Sequence, residues 1–196
     1  MASFVVKLRD THGRLWSMTA LGAMIRREIA PERIAGHAKA IAPSLDEIWI
    51  VEDVPYAGGI SQLAHLLEAT ENVTVGHGIA PAPFRNPMAL AMEWATLARL
   101  YPGRLAGGIG HGLQTWMASI GEKVDSPLTL LEETIVATKQ LLRGQDPNMA
   151  GRYRSLSGYQ LEFPGPRQAT PNPIASRSLL ECSVAIKLNS ARLLKG

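Results

Sequence analysis

Apolar residues in this chain fall into two alternating patterns, short continuous runs and longer stretches with a helical period. A short apolar run is typical of a strand covered on both faces, and a period of about 3.6 residues is typical of a helix. The two patterns follow one another four times, which predicts a parallel α/β sheet with helices outside it. The predicted strands are 20–25, 47–51, 72–79 and 105–109, and the predicted helices are 31–41, 59–69, 86–100 and 126–142.

The third predicted helix carries signals at both of its ends. Asn86 is the expected N-cap, and Pro87 fits the first helical position, where its missing N–H costs no hydrogen bond. Pro102-Gly103 ends the helix. In the fourth helix, the residues expected to face the core are Leu128, Leu131, Ile135, Leu141 and Leu142.

The carboxyl ends of the predicted strands carry glycines and ionisable side chains. Glu52 and Asp53 end the second strand, and Gly110-His111-Gly112 ends the fourth. Parallel α/β proteins bind their ligands at this end of the sheet. The imidazole of His111 can move a proton or only form a hydrogen bond with a ligand. His77 lies within the third strand, where a histidine is more often a core residue.

Composition and charge fit a cytoplasmic enzyme with one domain. Apolar residues make up 46% of the 196 residues, and no run of about 18 apolar residues offers a membrane span. The net charge is +3, but residues 1–17 carry +2 and residues 171–196 carry +3, which leaves −2 for residues 18–170. The basic balance therefore indicates neither a nucleic-acid partner nor a membrane partner. The one cysteine, Cys182, forms no metal motif, and no metal site is predicted.

Several short motifs follow the predicted strands and helices in a fixed order: Trp49-Ile50-Val51-Glu52-Asp53, Val73-Thr74-Val75-Gly76-His77-Gly78-Ile79, Arg85-Asn86-Pro87, Tyr101-Pro102-Gly103-Arg104, Gly108-Ile109-Gly110-His111-Gly112, and Ser126-Pro127-Leu128-Thr129-Leu130-Leu131-Glu132-Glu133. Over residues 18 to about 168, their order and spacing resemble the luciferase-like monooxygenase superfamily, in its branch of F420- or flavin-dependent oxidoreductases. The resemblance implies a (β/α)8 barrel of the TIM type, with F420 or FMN lying across the C-terminal ends of the strands.

The length of the chain suggests that only part of such a barrel is encoded. A complete barrel takes about 250 residues, whereas about four βα units fill residues 20–143 here. We therefore expect a non-family extension at 1–17, with Met18 as an alternative start, and the N-terminal half of the barrel at 18–170. The resemblance also implies a pair of short strands at residues 151–163. Residues 171–196 are expected to be a non-family tail, such as a frameshift near residue 170 would produce.

The resemblance also implies which residues meet the cofactor. Asp53 and His111 are the candidate catalytic residues. At Gly78–Ile79, many family members have a cis peptide bond that backs the cofactor ring, and the alternative is an ordinary glycine turn. Glu52 is either a cofactor contact or a solvated acid at a helix start, and Trp116 and Met117 either cover the cofactor or belong to the core. The candidate cofactor contacts are Glu52, Asp53, Gly78, Ile79, Gly110, His111 and Gly112.

Two departures from the family narrow the expected activity. Val54 and Leu113 stand where the sugar-phosphate dehydrogenase branch has a histidine and a glutamate, so sugar oxidation is not supported. In the family, loops of later strands hold most of the cofactor's phosphate groups. We do not expect those loops in this chain. The expected function is hydride transfer between F420 or FMN and a small organic substrate. The alternative is an inactive truncated remnant, or a half-barrel that self-associates into a homo-oligomer without activity.

Overall fold

The computed structural model describes residues 22–166 in full and the backbone of residues 4–9 and 15–20. Two N-terminal strands, β1 (Phe4–Arg9) and β2 (Leu15–Ala20), pair antiparallel. The tail predicted at 171–196, and the parts of the predicted extension outside these two strands, lie outside the described residues.

The strands and helices that follow alternate as the hydrophobic pattern predicts, except that two helices rather than one follow the last strand of the sheet. A four-stranded sheet has the order β3–β4–β5–β6, and β4 pairs in parallel with both β3 and β5. Its strands are β3 (Gly22–Met24), β4 (Glu47–Ile50), β5 (Thr74–Pro81) and β6 (Leu105–Gly110). The helices are α1 (Pro31–Ile41), α2 (Gly59–Ala69), α3 (Pro87–Leu100), α4 (Gln114–Ser119) and α5 (Pro127–Leu142). Short 3-10 turns lie at Ala42–Ser44 and Ala82–Phe84.

The predicted end signals of α3 are confirmed. The side-chain oxygen of Asn86 accepts a hydrogen bond from the backbone N–H of Met88 at 2.9 Å, and Pro87 is the first helical residue. A pair of short antiparallel strands does follow α5, as β7 (Met149–Ala150) and β8 (Ser155–Leu156), but β7 lies before the predicted range of 151–163.

One predicted core residue of α5 is wrong. Leu128 is 63% exposed, whereas Leu131, Ile135, Leu141 and Leu142 are buried as predicted. The buried face of α5 also includes Leu130, Thr134, Ala137 and Thr138. Leu128 lies just beyond the edge of this face, in the first turn of the helix, because the face is centred nearer to residues 134 and 138.

The chain divides into two compact units, Met1–Gly78 and Ile79–Gly196, and β5 runs across the division. In the first unit, α1 packs against α2, and Ile48 and Ile50 of β4 are fully buried. The indole of Trp49 lies on the opposite face of β4 from these two residues, against β5. A Cβ at Gly76 would come 2.3 Å from that indole, so the glycine leaves the space that Trp49 fills.

In the second unit, α3 packs against α5 and β6 is buried along its whole length. Trp94 of α3, which is 1% exposed, is among the largest side chains of this core. Within the described residues, no helix combines the length and the apolar character that crossing a membrane requires.

Candidate functional site

Glu52, directly after β4, is buried and holds the start of α2. Its side chain is 5% exposed, and its Oε1 accepts a hydrogen bond from the backbone N–H of Gly59 at 2.8 Å. Its Oε2 lies 3.4 Å from Nε2 of His77, which is fully buried. His77 is therefore a core residue, as predicted. Glu52 is an acid at a helix start, but it is not on the solvated rim.

Asp53, the next residue, forms an ion pair with the guanidinium of Arg27. Its Oδ2 accepts a hydrogen bond from Nη1 of Arg27 at 2.9 Å, and its backbone oxygen accepts one from the N–H of Tyr56 at 2.7 Å. The guanidinium of Arg27 also lies over the Tyr56 ring, 5.1 Å from its centroid. The hydrogen bond with Asp53, followed by that with Glu28, raises the pKa of Arg27. The carboxylate of Asp53 thus links the loop after β3 to the loop after β4.

These two loops border an open depression in the first unit. Its cavity volume is about 510 Å³. The lining is largely apolar, with one cation and one carboxylate at its edge. The lining residues are Arg27, Glu28, Ile29, Ala30, Pro31, Pro55, Tyr56 and Ala57. The sequence pattern did not indicate Arg27 or Tyr56, because their contact with each other joins residues 29 positions apart in two loops.

At Gly78–Ile79 the structure has neither of the two alternatives, the cis peptide bond that the resemblance implies or the ordinary glycine turn. Among the described residues, the cis bond is Val54–Pro55. The physical reason is that β5 continues in extended conformation through both residues to Pro81, so the chain makes no bulge there. Gly78 instead gives room to Trp49, because a Cβ at this position would lie 2.8 Å from the indole.

In the second unit, the end of β6 brings four candidate residues together. A Cβ at Gly110 would lie 1.9 Å from Cδ1 of Ile79, so the Ile79 side chain occupies the space beside the glycine. His111 follows and is half-buried, and its Nδ1 lies 2.6 Å from the carbonyl oxygen of Gly112. Gly112 has a φ of +72°, a conformation that favours glycine.

Three residues of α4 lie close to this group in sequence. The side-chain amide of Gln114 donates to the carbonyl oxygens of His111 and Gly112, at 3.2 Å and 3.3 Å. Met117 is 1% exposed and belongs to the core, while Trp116 is half-buried. The result is a half-buried imidazole whose ring and backbone are both held by hydrogen bonds.

A second anchor in this unit, not predicted from the sequence, involves Glu133 of α5. Its carboxylate accepts hydrogen bonds from the backbone N–H groups of Arg152, Tyr153 and Arg154 at 2.7, 2.8 and 2.9 Å. Burial raises the pKa of Glu133, but the three N–H donors together outweigh it, and the net pKa is lowered. The carboxylate thereby fixes the loop between β7 and β8.

Arg154 extends from this loop to the segment that follows β5. Its Nη2 donates to the carbonyl oxygens of Ala82 and Arg85, at 2.6 Å and 3.1 Å. Burial lowers the pKa of Arg154, although the negative charges of Glu122 and Glu133 act to raise it. The charged side chain therefore ties the β7–β8 loop to the segment leading into α3. In residues 22–166, we find no cluster of three or more metal-ligating side chains.

Comparison with known proteins identifies relatives of this chain. The family model for luciferase-like monooxygenases matches residues 12–188, a stretch that begins before residue 18 and ends after residue 170. The 5,10-methylenetetrahydromethanopterin reductase of Methanolobus tindarius is 28% identical over 132 residues, which are 67% of this chain and 40% of the relative.

Two solved structures share the fold. The coenzyme F420-dependent tetrahydromethanopterin reductase of Methanopyrus kandleri superposes with a TM-score of 0.66 at 21% identity, covering 74% of this chain and 46% of that protein. The oxygenating constituent of 3,6-diketocamphane monooxygenase from Pseudomonas putida, in complex with FMN, gives a TM-score of 0.62 at 17% identity and the same coverages. The predicted fold class, an α/β fold of the (β/α)8 type present in part, is confirmed. The chain spans less than half the length of these relatives.

Proposed function

Because this chain belongs to the luciferase-like monooxygenase family, a family of oxidoreductases, we propose that it takes part in hydride transfer between F420 or FMN and a small organic substrate. The observation that carries the proposal is the half-buried His111 between Gly110 and Gly112, at the carboxyl end of β6. That end of the strands is where barrels of this type hold their ligands. The relatives named above support either cofactor, since one is F420-dependent and another holds FMN.

The residues at the end of β6 fit the edge of a flat heteroaromatic ring. The side chain of Ile79 fills the space beside Gly110 and supplies an apolar surface there. His111 supplies a polar group next to that surface, and an apolar lining with a few oriented polar groups is typical of a cofactor site. When bound, F420 or FMN would supply the hydride chemistry. The chain's own residues would bind and orient the ring.

For the candidate residues of the first unit, we propose positioning roles. Glu52 holds the start of α2, and Asp53 holds Arg27 in place over Tyr56. Gly78 accommodates Trp49. Direct contact of Glu52, Asp53 or Gly78 with a cofactor, and proton transfer by Asp53, stay predictions.

We further propose that groups beyond residues 22–166 supply the phosphate-binding part of the site. The relatives are more than twice as long as the stretch they share with this chain. A partner copy in a homo-oligomer would be one source of these groups. The division into an extension (1–17), a half-barrel (18–170) and a tail (171–196), and a cytoplasmic location, are parts of the same proposal.

Titration of the purified protein with FMN and, separately, with F420 tests the proposal. Cofactor fluorescence reports binding, and light scattering reports the mass of the species that binds. We expect saturable binding at micromolar concentration by a discrete oligomer. The variant His111→Ala should bind about tenfold more weakly if it loses one hydrogen bond worth about 1.4 kcal/mol.

His65→Ala is the matched control, because His65 is exposed on α2. Its affinity should equal that of the wild type. Failure to bind either cofactor, together with a heterogeneous mass, would overturn the proposal. That result would favour a non-catalytic, self-associating half-barrel.

A further inference from the structure

We infer that Gly112 holds His111 as the Nδ1-protonated tautomer, so that Nε2 meets a ligand as a hydrogen-bond and proton acceptor. The inference rests on the proposed function and deepens it by fixing the direction of the hydrogen bond. The chemistry that fits Nε2 is a ligand group that donates, an N–H or an O–H. A cofactor ring N–H and a substrate hydroxyl are the two sources of such a group.

His111 and Gly112 make a short contact inside the turn. Nδ1 of His111 lies 2.6 Å from the carbonyl oxygen of Gly112. A carbonyl oxygen has no proton to give, so the proton of this hydrogen bond lies on Nδ1. In the neutral ring, Nε2 then carries the lone pair. A backbone carbonyl thus does the orienting that a carboxylate does in many histidine sites.

The position of that carbonyl depends on glycine. Gly112 has a φ of +72°, and a Cβ there would lie 2.9 Å from Sδ and 3.1 Å from Cγ of Met117. Met117 is 1% exposed and has little room to withdraw. Gln114 donates to the same carbonyl oxygen at 3.3 Å, which fixes its direction from a second side. A side chain at residue 112 would therefore move the backbone carbonyl that sets the tautomer of His111.

The other nitrogen of the ring is available to a ligand. His111 is half-buried, and within residues 22–166 Nε2 has no hydrogen-bond partner. When a donor gives its proton to Nε2, the ring becomes an imidazolium and keeps its Nδ1–H bond to the Gly112 carbonyl. The donor of that bond is then charged, and hydrogen bonds with a charged donor are the stronger kind. The ligand is left with the electron pair of the broken N–H or O–H bond.

Two-bond ¹H–¹⁵N spectra of histidine-labelled protein test the inference without any cofactor. The spectra are recorded at about pH 9, above the range in which imidazoles ordinarily gain a proton. The signals of His111 are identified by their loss in His111→Ala. We expect the Nδ1–H form to exceed the Nε2–H form by about tenfold, given one hydrogen bond of ordinary strength. A spectrum dominated by the Nε2–H form would overturn the inference.

The role of Gly112 is tested by Gly112→Ala. Free histidine favours the Nε2–H tautomer, so we expect this variant to shift His111 toward that form. A folded Gly112→Ala that keeps the Nδ1–H form would contradict the role of the glycine. If the variant does not fold, the wild-type spectrum still decides the tautomer.

FMN and its analogue methylated at the ring N–H distinguish the two sources of the donor. A loss of about tenfold in affinity on methylation, seen in the wild type and not in His111→Ala, would assign the donor to the cofactor ring. Equal affinities would assign it to the substrate hydroxyl. Absence of FMN and F420 binding would overturn the proposed function alone, since the tautomer spectrum needs neither.

Discussion

Two glutamates anchor loops in this protein, one in each compact unit, and they do so by different means. Glu52 is 5% exposed, accepts one backbone N–H from Gly59 and faces the fully buried His77. Glu133 is half-buried and accepts three successive N–H groups from residues 152–154. The first anchor is enclosed by side chains, and the second is a carboxylate cradled by backbone donors.

This difference predicts which perturbation should damage each anchor. Around Glu52, the space is filled, because a Cβ at Gly59 would lie 2.3 Å from Nε2 of His77 and 3.1 Å from Cβ of Glu52. Around Glu133, the binding is electrostatic, because the N–H donors lower its pKa despite partial burial. We therefore expect added volume to damage the first anchor more than the second, and acid to damage the second.

Gly59→Ala should be the most destabilising of the substitutions considered. The new methyl group would overlap the buried imidazole of His77, and forcing extra volume into a packed core costs up to about 3 kcal/mol. Urea unfolding at pH 7 measures the loss. Gly36→Ala is the matched control, because Gly36 is an exposed residue of α1 with open space around its missing side chain. It should instead stabilise by about 0.5–1 kcal/mol. Equal effects of the two substitutions would show that the site around Glu52 is not sterically closed.

Glu133→Gln should destabilise the protein by about 2 kcal/mol at neutral pH, because an ionised acceptor is replaced by an amide among N–H donors. The pKa of Glu133 is lowered on folding, so its contribution is fully present above the unfolded pKa of about 4.3 and is lost as pH falls through the folded value. The gap between wild type and variant should therefore be constant well above pH 4.3 and should close as pH falls below about 4.3. Unfolding curves at several pH values check this, with the exposed neighbour Glu132→Gln as control. A gap that does not change with pH would contradict the electrostatic account.

Gly151→Ala tests the anchor at Glu133 by adding a methyl group, and its expected loss of stability is smaller than that of Glu133→Gln. A Cβ at Gly151 would lie 2.5 Å from the carboxyl carbon of Glu133, so the carboxylate would have to move away from its donors. We expect a loss of about 1–2 kcal/mol in the wild type. In the Glu133→Gln background, the loss should be smaller, because the hydrogen bonds to the carboxylate are already gone. Additive losses in the double variant would mean that Gly151 acts on stability without involving Glu133.

The fold was largely predictable from sequence because its signals are local. The bounds of α1 and α2 follow from proline or glycine at the helix start and the helical period, and Asn86 and Pro87 place the start of α3. Leu128 was predicted wrongly, because periodicity places a residue on a helix face but does not set how wide the buried part of that face is.

The site was less predictable because its partners are distant in sequence. Arg27 meets Asp53 across 26 positions, and Glu133 meets Tyr153 across 20. Only the tertiary fold brings such residues together. The cis bond expected at Gly78–Ile79 came from family resemblance, and the extended course of β5 excludes it here. His111 is different, because the glycines on both sides of it in the sequence indicate the local turn in which it lies.

The ion pair of Arg27 with Asp53 should be the weakest of these anchors. Its side chains are 38% and 28% exposed, so water and salt screen the charges, and such pairs contribute about 0.2–1 kcal/mol. A cycle of Arg27→Ala, Asp53→Ala and the double variant measures the coupling by thermal unfolding. We expect a small coupling free energy that falls further at 1 M salt, where the Debye length is about 3 Å. A coupling above about 2 kcal/mol that salt leaves unchanged would place this pair with the buried anchors, because only charges withheld from solvent escape screening.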